Sequence, residues 1–158
     1  AFTMEGSGDD LFFLSNGHIS AAWYSVLAHF YNERAPKKYF KDLTILQSFR
    51  RYDSPLQGHP TPAEHFPGIR VASGSLGQGL SVATGAAMAK KMAKDDHLVY
   101  VLLGDGELQE GQVWEAALFA AGKKVNNLIA AVDWNDQQID GPVHEVSDLG
   151  ELPLHWNM

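Results

Sequence analysis

At 158 residues and 45% hydrophobic content the chain can bury one globular core, on the usual prior of about 100–200 residues per domain. Twelve Lys+Arg against 19 Asp+Glu leave a formal charge of -7, and no basic run is longer than pairs such as Lys90-Lys91, so nothing tracks a nucleic-acid backbone. Zero cysteines exclude a disulfide framework, thiolate metal sites and a cysteine nucleophile, and no apolar span reaches the roughly 18–20 residues a bilayer needs; a soluble, cytoplasmic protein is expected.

The apolar run Leu11-Phe12-Phe13-Leu14 predicts a short strand that delivers the loop Ser15-Asn16-Gly17-His18. From Ile19 to about Tyr31, Ile19, Ala22, Trp23, Val26, Leu27 and Phe30 recur at helical spacing and predict one inward face. A weaker helical pattern covers Lys41 to Phe49. Pro55, Gly58, Pro60, Pro62, Pro67 and Gly68 then mark an irregular stretch, of a length that is commonly functional in a compact domain. The glycine-rich segment Gly74-Ser75-Leu76-Gly77-Gln78-Gly79 leads into an alanine-rich helix over Leu80 to Lys94, where glycines let backbone approach a ligand or a neighbour. Leu98 to Leu103 is a continuous apolar run, expected of a strand buried on both faces of a parallel sheet, and it ends at Gly104-Asp105-Gly106. Val113 to Ala121 predicts a helix with Gly122 in the left-handed position beyond it, and Leu128 to Val132 predicts the next buried strand, ending at Asp133-Trp134-Asn135. Strand, helix, strand over this length is a βαβ unit. The expected fold is therefore α/β, a mostly parallel sheet with helices on both faces.

Ligands of an open α/β sheet bind outside the carboxyl ends of its strands, and Asp105 and Asn135 both fall there, thirty residues apart. A carboxylate, an amide oxygen and a nearby backbone carbonyl suit a hard cation, Mg²⁺ or Ca²⁺, and Mg²⁺ completes its octahedron with phosphates and water. Gly104 and Gly106 can turn N–H groups toward a phosphate, while the metal offsets the repulsion between Asp105 and that anion. A nicotinamide-binding turn fits less well, because neither Gly104-x-Gly106 with Gly111 nor Gly74-x-x-Gly77-x-Gly79 makes G-x-G-x-x-G.

Gly104-Asp105-Gly106 with Asn135 resembles the thiamine diphosphate-binding motif, and the segment from Gly104 to Gly111 with Ile139-Asp140-Gly141 resembles transketolase in particular. Ser15-Asn16-Gly17-His18, Gly58-His59-Pro60 and the Gly74 to Gly79 segment resemble three upstream transketolase motifs in the same order, so the likeness runs from about residue 11 to 142.

The resemblance implies the diphosphate-binding domain of a thiamine diphosphate enzyme, with a two-carbon ketol unit passing from a ketose phosphate to an aldose phosphate. It implies Asp105, Asn135 and the carbonyl of Gln137 as metal ligands. Gly106 would donate its N–H to the diphosphate, with His18 beside it. Gly74 and Leu76 would meet the ring portion of the cofactor, Ile139 would pack on it, and His59 would bind donor-sugar hydroxyls. His18 and His59 would also help to move protons, and Glu110 and Glu115 would communicate between the two cofactors of a dimer. His29, His65, His97, His144 and His155 are expected to be ordinary exposed residues, and Trp23, Trp114 and Trp134 to serve core or interface packing rather than cofactor contact. The family also needs a pyrimidine-binding domain, absent from residues 1–158, so the chain is expected to be a single domain incomplete at both ends. Its partner would be a separate or missing chain, in a homodimer or heterotetramer, as with the N-terminal subunit of a split bacterial transketolase. Two alternatives stay open: a cofactor-binding or scaffold module without activity of its own, and a related enzyme such as deoxyxylulose phosphate synthase.

Overall fold

The computed structural model describes residues 9–34, 43–66 and 68–151. Lys41, Pro67 and His155 lie outside them. Strand β1 (Leu11–Leu14) feeds helix α1 (Ser20–Arg34) through the 3-10 turn Gly17–Ile19; α2 (Gln78–Met92), β2 (Val99–Gly104), α3 (Gly111–Gly122), β3 (Leu128–Asp133) and the short α4 (Val143–Val146) follow. Three strands form a parallel sheet in the order β1-β2-β3. Leu11 stands opposite Val99, and Gly104 opposite Asp133. The parallel register puts Ser15, Gly104 and Asp133 at one edge, so the polar loops after all three strands share the carboxyl end of the sheet.

Alternation along the strands decides which face is covered. Leu11, Phe13, Val99, Val101 and Leu103 point into the main core with Leu80, Ala83 and Ala87 of α2 and Val113 and Ala116 of α3. On the opposite face Phe12 stacks on Trp23 of α1, with ring centroids 4.3 Å apart. The expectation of strands buried on both faces holds only partly. Tyr100 and Leu102 are half-buried, and Ile129 of β3 is 42% exposed, since no described element covers that side of β3.

Three local expectations are corrected. The inward side of α1 carries Ser20, Tyr24, Leu27 and Ala28, whereas Val26 and Phe30 are exposed. Apolar residues lie all round this helix, so spacing alone could not choose the side; a second cluster with Leu56 and Phe66 does so. After α3 the left-handed position is taken by Lys124 (φ 52), not Gly122. Over the described part of the stretch 41–49 the chain forms a 3-10 turn, Leu43–Ser48, rather than an α-helix.

At the other edge of the sheet, Lys90 is buried with its ammonium 2.6 Å from Asp95 Oδ2. The hydrogen bond from Lys90, then those from the backbone and ring of His97, hold the Asp95 carboxyl well below the usual carboxylate range. The folded value lies beneath the unfolded one of about 3.9, so this stabilisation is complete above that pH and is lost as pH falls through the window below it. Lys90→Met is expected to flatten the acid-side fall in stability, read by chemical unfolding at neutral pH and at several points below about pH 4. An unchanged pH profile would count against the assignment. Among the described residues no helix is long and apolar enough to cross a membrane.

Candidate active site

Three strand-end loops and the glycine-rich loop before α2 converge at the carboxyl edge. The loop after β1 is held to β2 by the N–H groups of Ser15 and Asn16, both donating to Leu102 O at 2.9 and 3.3 Å. Ser20 Oγ, in the first turn of α1, donates to Gly58 O at 2.6 Å. That bond places His59 against His18, ring edge to face, with centroids 5.0 Å apart. Ser73 N donates to Pro60 O at 3.2 Å, which closes the proline-rich stretch and brings His59 to the glycine loop.

Packing here depends on missing side chains. A Cβ on Gly17 would lie 2.7 Å from Gly74 N and from the Ser73 carbonyl carbon, so only glycine lets the two loops touch. Gly74 has φ +121, where L side chains are strained, and its Cβ would meet the His59 ring at 2.7 Å. Gly17, His18, His59 and Gly74 therefore form one cluster, with both imidazoles exposed. Ser73 Oγ is buried among them and has no hydrogen-bond partner among the described residues, a polar group left for a bound molecule or water to satisfy.

A second cluster follows β2 and β3. Asp105 is 2% exposed; its Oδ1 accepts the N–H of Gly106 at 2.8 Å and its Oδ2 the N–H of Asp136 at 2.5 Å. The second bond draws the loop after β3 onto Asp105, bringing Asn135 and Gln137 with it. Asn135 is exposed; its Nδ2 donates to Asp133 Oδ2 at 3.0 Å and its Oδ1 accepts the N–H of Gln137 at 2.9 Å. Asp136 takes a left-handed conformation (φ 58). The backbone N–H of His144, and then its ring, hold the Asp136 carboxyl below the usual range.

Among the described residues no group of three or more His, Cys, Asp or Glu could hold a metal ion, so a divalent cation bound beside Asp105 would have to add an amide oxygen and backbone carbonyls to that carboxylate. That donor set suits an ion whose remaining ligands are phosphate oxygens and water, and the residues fit a metal with diphosphate. Gly106 N–H, which the motif assigns to the diphosphate, donates to Asp105 here and would have to turn outward to an anion.

The remaining expected residues are looser. Leu76 is half-buried, and its carbonyl accepts Gln112 Nε2 at 3.2 Å. Ile139 is 88% exposed in the turn between Gln138 and Gly141. Glu110 precedes α3 and Glu115 lies in its second turn, both exposed; no described contact joins Glu115 to the two clusters. Trp114 packs against the main core and donates Nε1–H to Leu108 O at 2.8 Å.

Sequence reasoning missed Glu107. It is 2% exposed; its Oε1 accepts Ser15 Oγ–H and, at 2.8 Å, the N–H of Gly77, and its Oε2 accepts the N–H of Gly104 at 3.2 Å. Its donors come from three separate segments, and no local pattern around Glu107 announces them.

Residues 5–149 match the family model described as "Transketolase, thiamine diphosphate binding domain". The chain is 41% identical over 147 residues to one subunit of an apulose-4-phosphate transketolase from Phocaeicola vulgatus, covering 93% of this chain and 49% of that one. It is 40% identical over 147 residues to one subunit of a 6-deoxy-6-sulfo-D-fructose transketolase from a Clostridium species, with 93% and 50% covered. Against human transketolase it is 44% identical over 144 residues, 89% of this chain but 22% of that one. A transketolase variant from Pichia stipitis, crystallised with xylulose 5-phosphate, superposes with a TM-score of 0.84 at 31% identity, covering 99% of this chain and 24% of the other. The chain thus spans about half the length of the two bacterial relatives.

Proposed function

Because the chain belongs to the transketolase family, as its thiamine diphosphate-binding domain, we propose that it supplies the metal and diphosphate half of a ketol-transferring active site. The other half, a pyrimidine-binding domain, comes from a partner chain, in a homodimer of the complete enzyme or a heterotetramer of two chain types. The observation that carries this reading is the convergence of the His18, His59 and Gly74 cluster with the Asp105 and Gly106 loop at one sheet edge. The match to relatives that are themselves single subunits of a transketolase favours a two-chain enzyme.

Asp105, Asn135 and the Gln137 carbonyl would hold Mg²⁺, with Ca²⁺ as a substitute. Gly106 N–H would bind the diphosphate. When bound, thiamine diphosphate supplies the carbon nucleophile and electron sink that the protein lacks. Gly74 and Leu76 would present backbone to its rings, and Ile139, exposed in this chain, would be covered by them. His18 and His59, both exposed and in edge contact, would bind donor hydroxyls and hold the proton that moves as the sugar carbon–carbon bond breaks. Glu110 and Glu115 face outward, as residues of an interface between two such sites would. The substrates are a ketose phosphate donor and an aldose phosphate acceptor.

The test is co-expression with a pyrimidine-domain transketolase chain from the same genome, followed by a coupled ketol-transfer assay with thiamine diphosphate and Mg²⁺. Transfer should require both chains and both cofactors. A complex that forms and binds thiamine diphosphate yet transfers no ketol unit would favour a scaffold role instead.

A further inference from the structure

Glu107 is a carboxylate shielded from water, with both oxygens engaged and no ion pair to it among the described residues. A buried charge of this kind is costly unless hydrogen bonds replace its hydration. Here every partner donates: one hydroxyl and two backbone N–H groups, a set that matches an acceptor-only side chain. The donors lie at the end of β1 (Ser15), in the loop that opens α2 (Gly77) and at the end of β2 (Gly104). Glu107 itself sits in the 3-10 turn Gly106–Gln109, directly after Gly106.

One rigid side chain therefore spans the glycine loop and the Gly104 to Gly106 turn. If Gly77 moved relative to Gly104, one of two charge-assisted bonds would break and leave a buried donor unpaired. We infer that Glu107 is a positioning residue that sets the distance between the loop facing the cofactor rings and the turn facing its diphosphate. This inference rests on the proposed cofactor site, in which Gly74 and Leu76 meet one end of thiamine diphosphate and Gly106 the other. A ligand that touches both loops needs the correct spacing; one that touches only the diphosphate turn does not.

The test uses the assembled enzyme with its pyrimidine-domain partner and compares two ligands by titration calorimetry in Mg²⁺: thiamine diphosphate and inorganic pyrophosphate. Glu107→Gln keeps the shape but sets an amide –NH2 against a backbone N–H. It is expected to weaken thiamine diphosphate binding about 10-fold or more, while pyrophosphate affinity stays within about twofold. Ser15→Ala removes one donor and keeps the carboxylate, so it should shift the same ratio in the same direction by about threefold, and it carries the test should Glu107→Gln fail to assemble. Equal losses for both ligands would mean that Glu107 merely supports the diphosphate turn, and would overturn the inference; so would unchanged binding of both. If the unsubstituted enzyme bound pyrophosphate but not thiamine diphosphate, the cofactor site itself would be wrong, and the inference would fall with it.

Discussion

Asp105→Asn in the assembled enzyme is expected to lower affinity for thiamine diphosphate in Mg²⁺ by at least about 100-fold, a loss of about 2.7 kcal/mol. The carboxylate is buried at 2% exposure and is the anionic member of the proposed ligand set; a neutral amide cannot offset the charge of a hard cation. The substitution also turns an –NH2 toward one of the two N–H groups that Asp105 now accepts, from Gly106 and Asp136. Loss of that bond should cost about 1–3 kcal/mol of stability, so binding and unfolding must be measured together. The sign reverses without metal. With Mg²⁺ chelated, the aspartate repels phosphate, and the asparagine variant should bind pyrophosphate at least as tightly as the unsubstituted enzyme. Calorimetry with and without Mg²⁺ reads both arms. Equal affinities for thiamine diphosphate in Mg²⁺ would refute Asp105 as a metal ligand.

Gly17→Ala should be nearly as damaging for a different reason. The added methyl would stand 2.7 Å from Gly74 N, the Ser73 carbonyl carbon and Ser73 Oγ, two of them backbone atoms that cannot swing aside. The loops must separate, at about 1–3 kcal/mol for the overpacked contact. His18 follows Gly17 directly, and Gly74 backs His59, so separation also opens the 5.0 Å ring contact. A misplacement of about 1 Å can cost about 100-fold in rate, and a drop of that order in kcat for ketol transfer is expected. Gly122→Ala is the control. Nothing lies within 4 Å of its Cβ position, and relief of unfolded-state entropy should leave stability unchanged or raise it by about 0.4–1 kcal/mol. Similar kcat losses in the two variants would sink the close-contact account of Gly17.

Much of this is legible in the residues alone. The apolar runs at Leu11 and Val99, each closed by a glycine-bearing polar loop, identify strands and the edge where chemistry gathers, because parallel strands with crossover helices deliver their carboxyl ends to one side. Asp105 and Asn135 stand out as a pair for that reason. The order of the motifs around His18, His59 and Gly74 identifies the family, which the matched residues 5–149 bear out. Pattern failed where burial depends on what packs from far away. Apolar residues surround α1, and only the cluster with Leu56 and Phe66 selects its inner side. Lys124 rather than Gly122 takes the left-handed position after α3, because the helix continues one residue further than its apolar pattern.

By itself, the sequence determined the alternation of strand and helix, the polar loops at the strand ends and the residue types able to hold a cation beside a phosphate, since these depend on local periodicity and side-chain chemistry. Only the tertiary structure decided that His18 meets His59, that the N–H of Asp136 bonds Asp105, and that Glu107 joins Ser15, Gly77 and Gly104. Nearly all of those contacts join segments many residues apart in the chain. Their distances follow from how α2 and α3 pack on the sheet, and no local spacing encodes that.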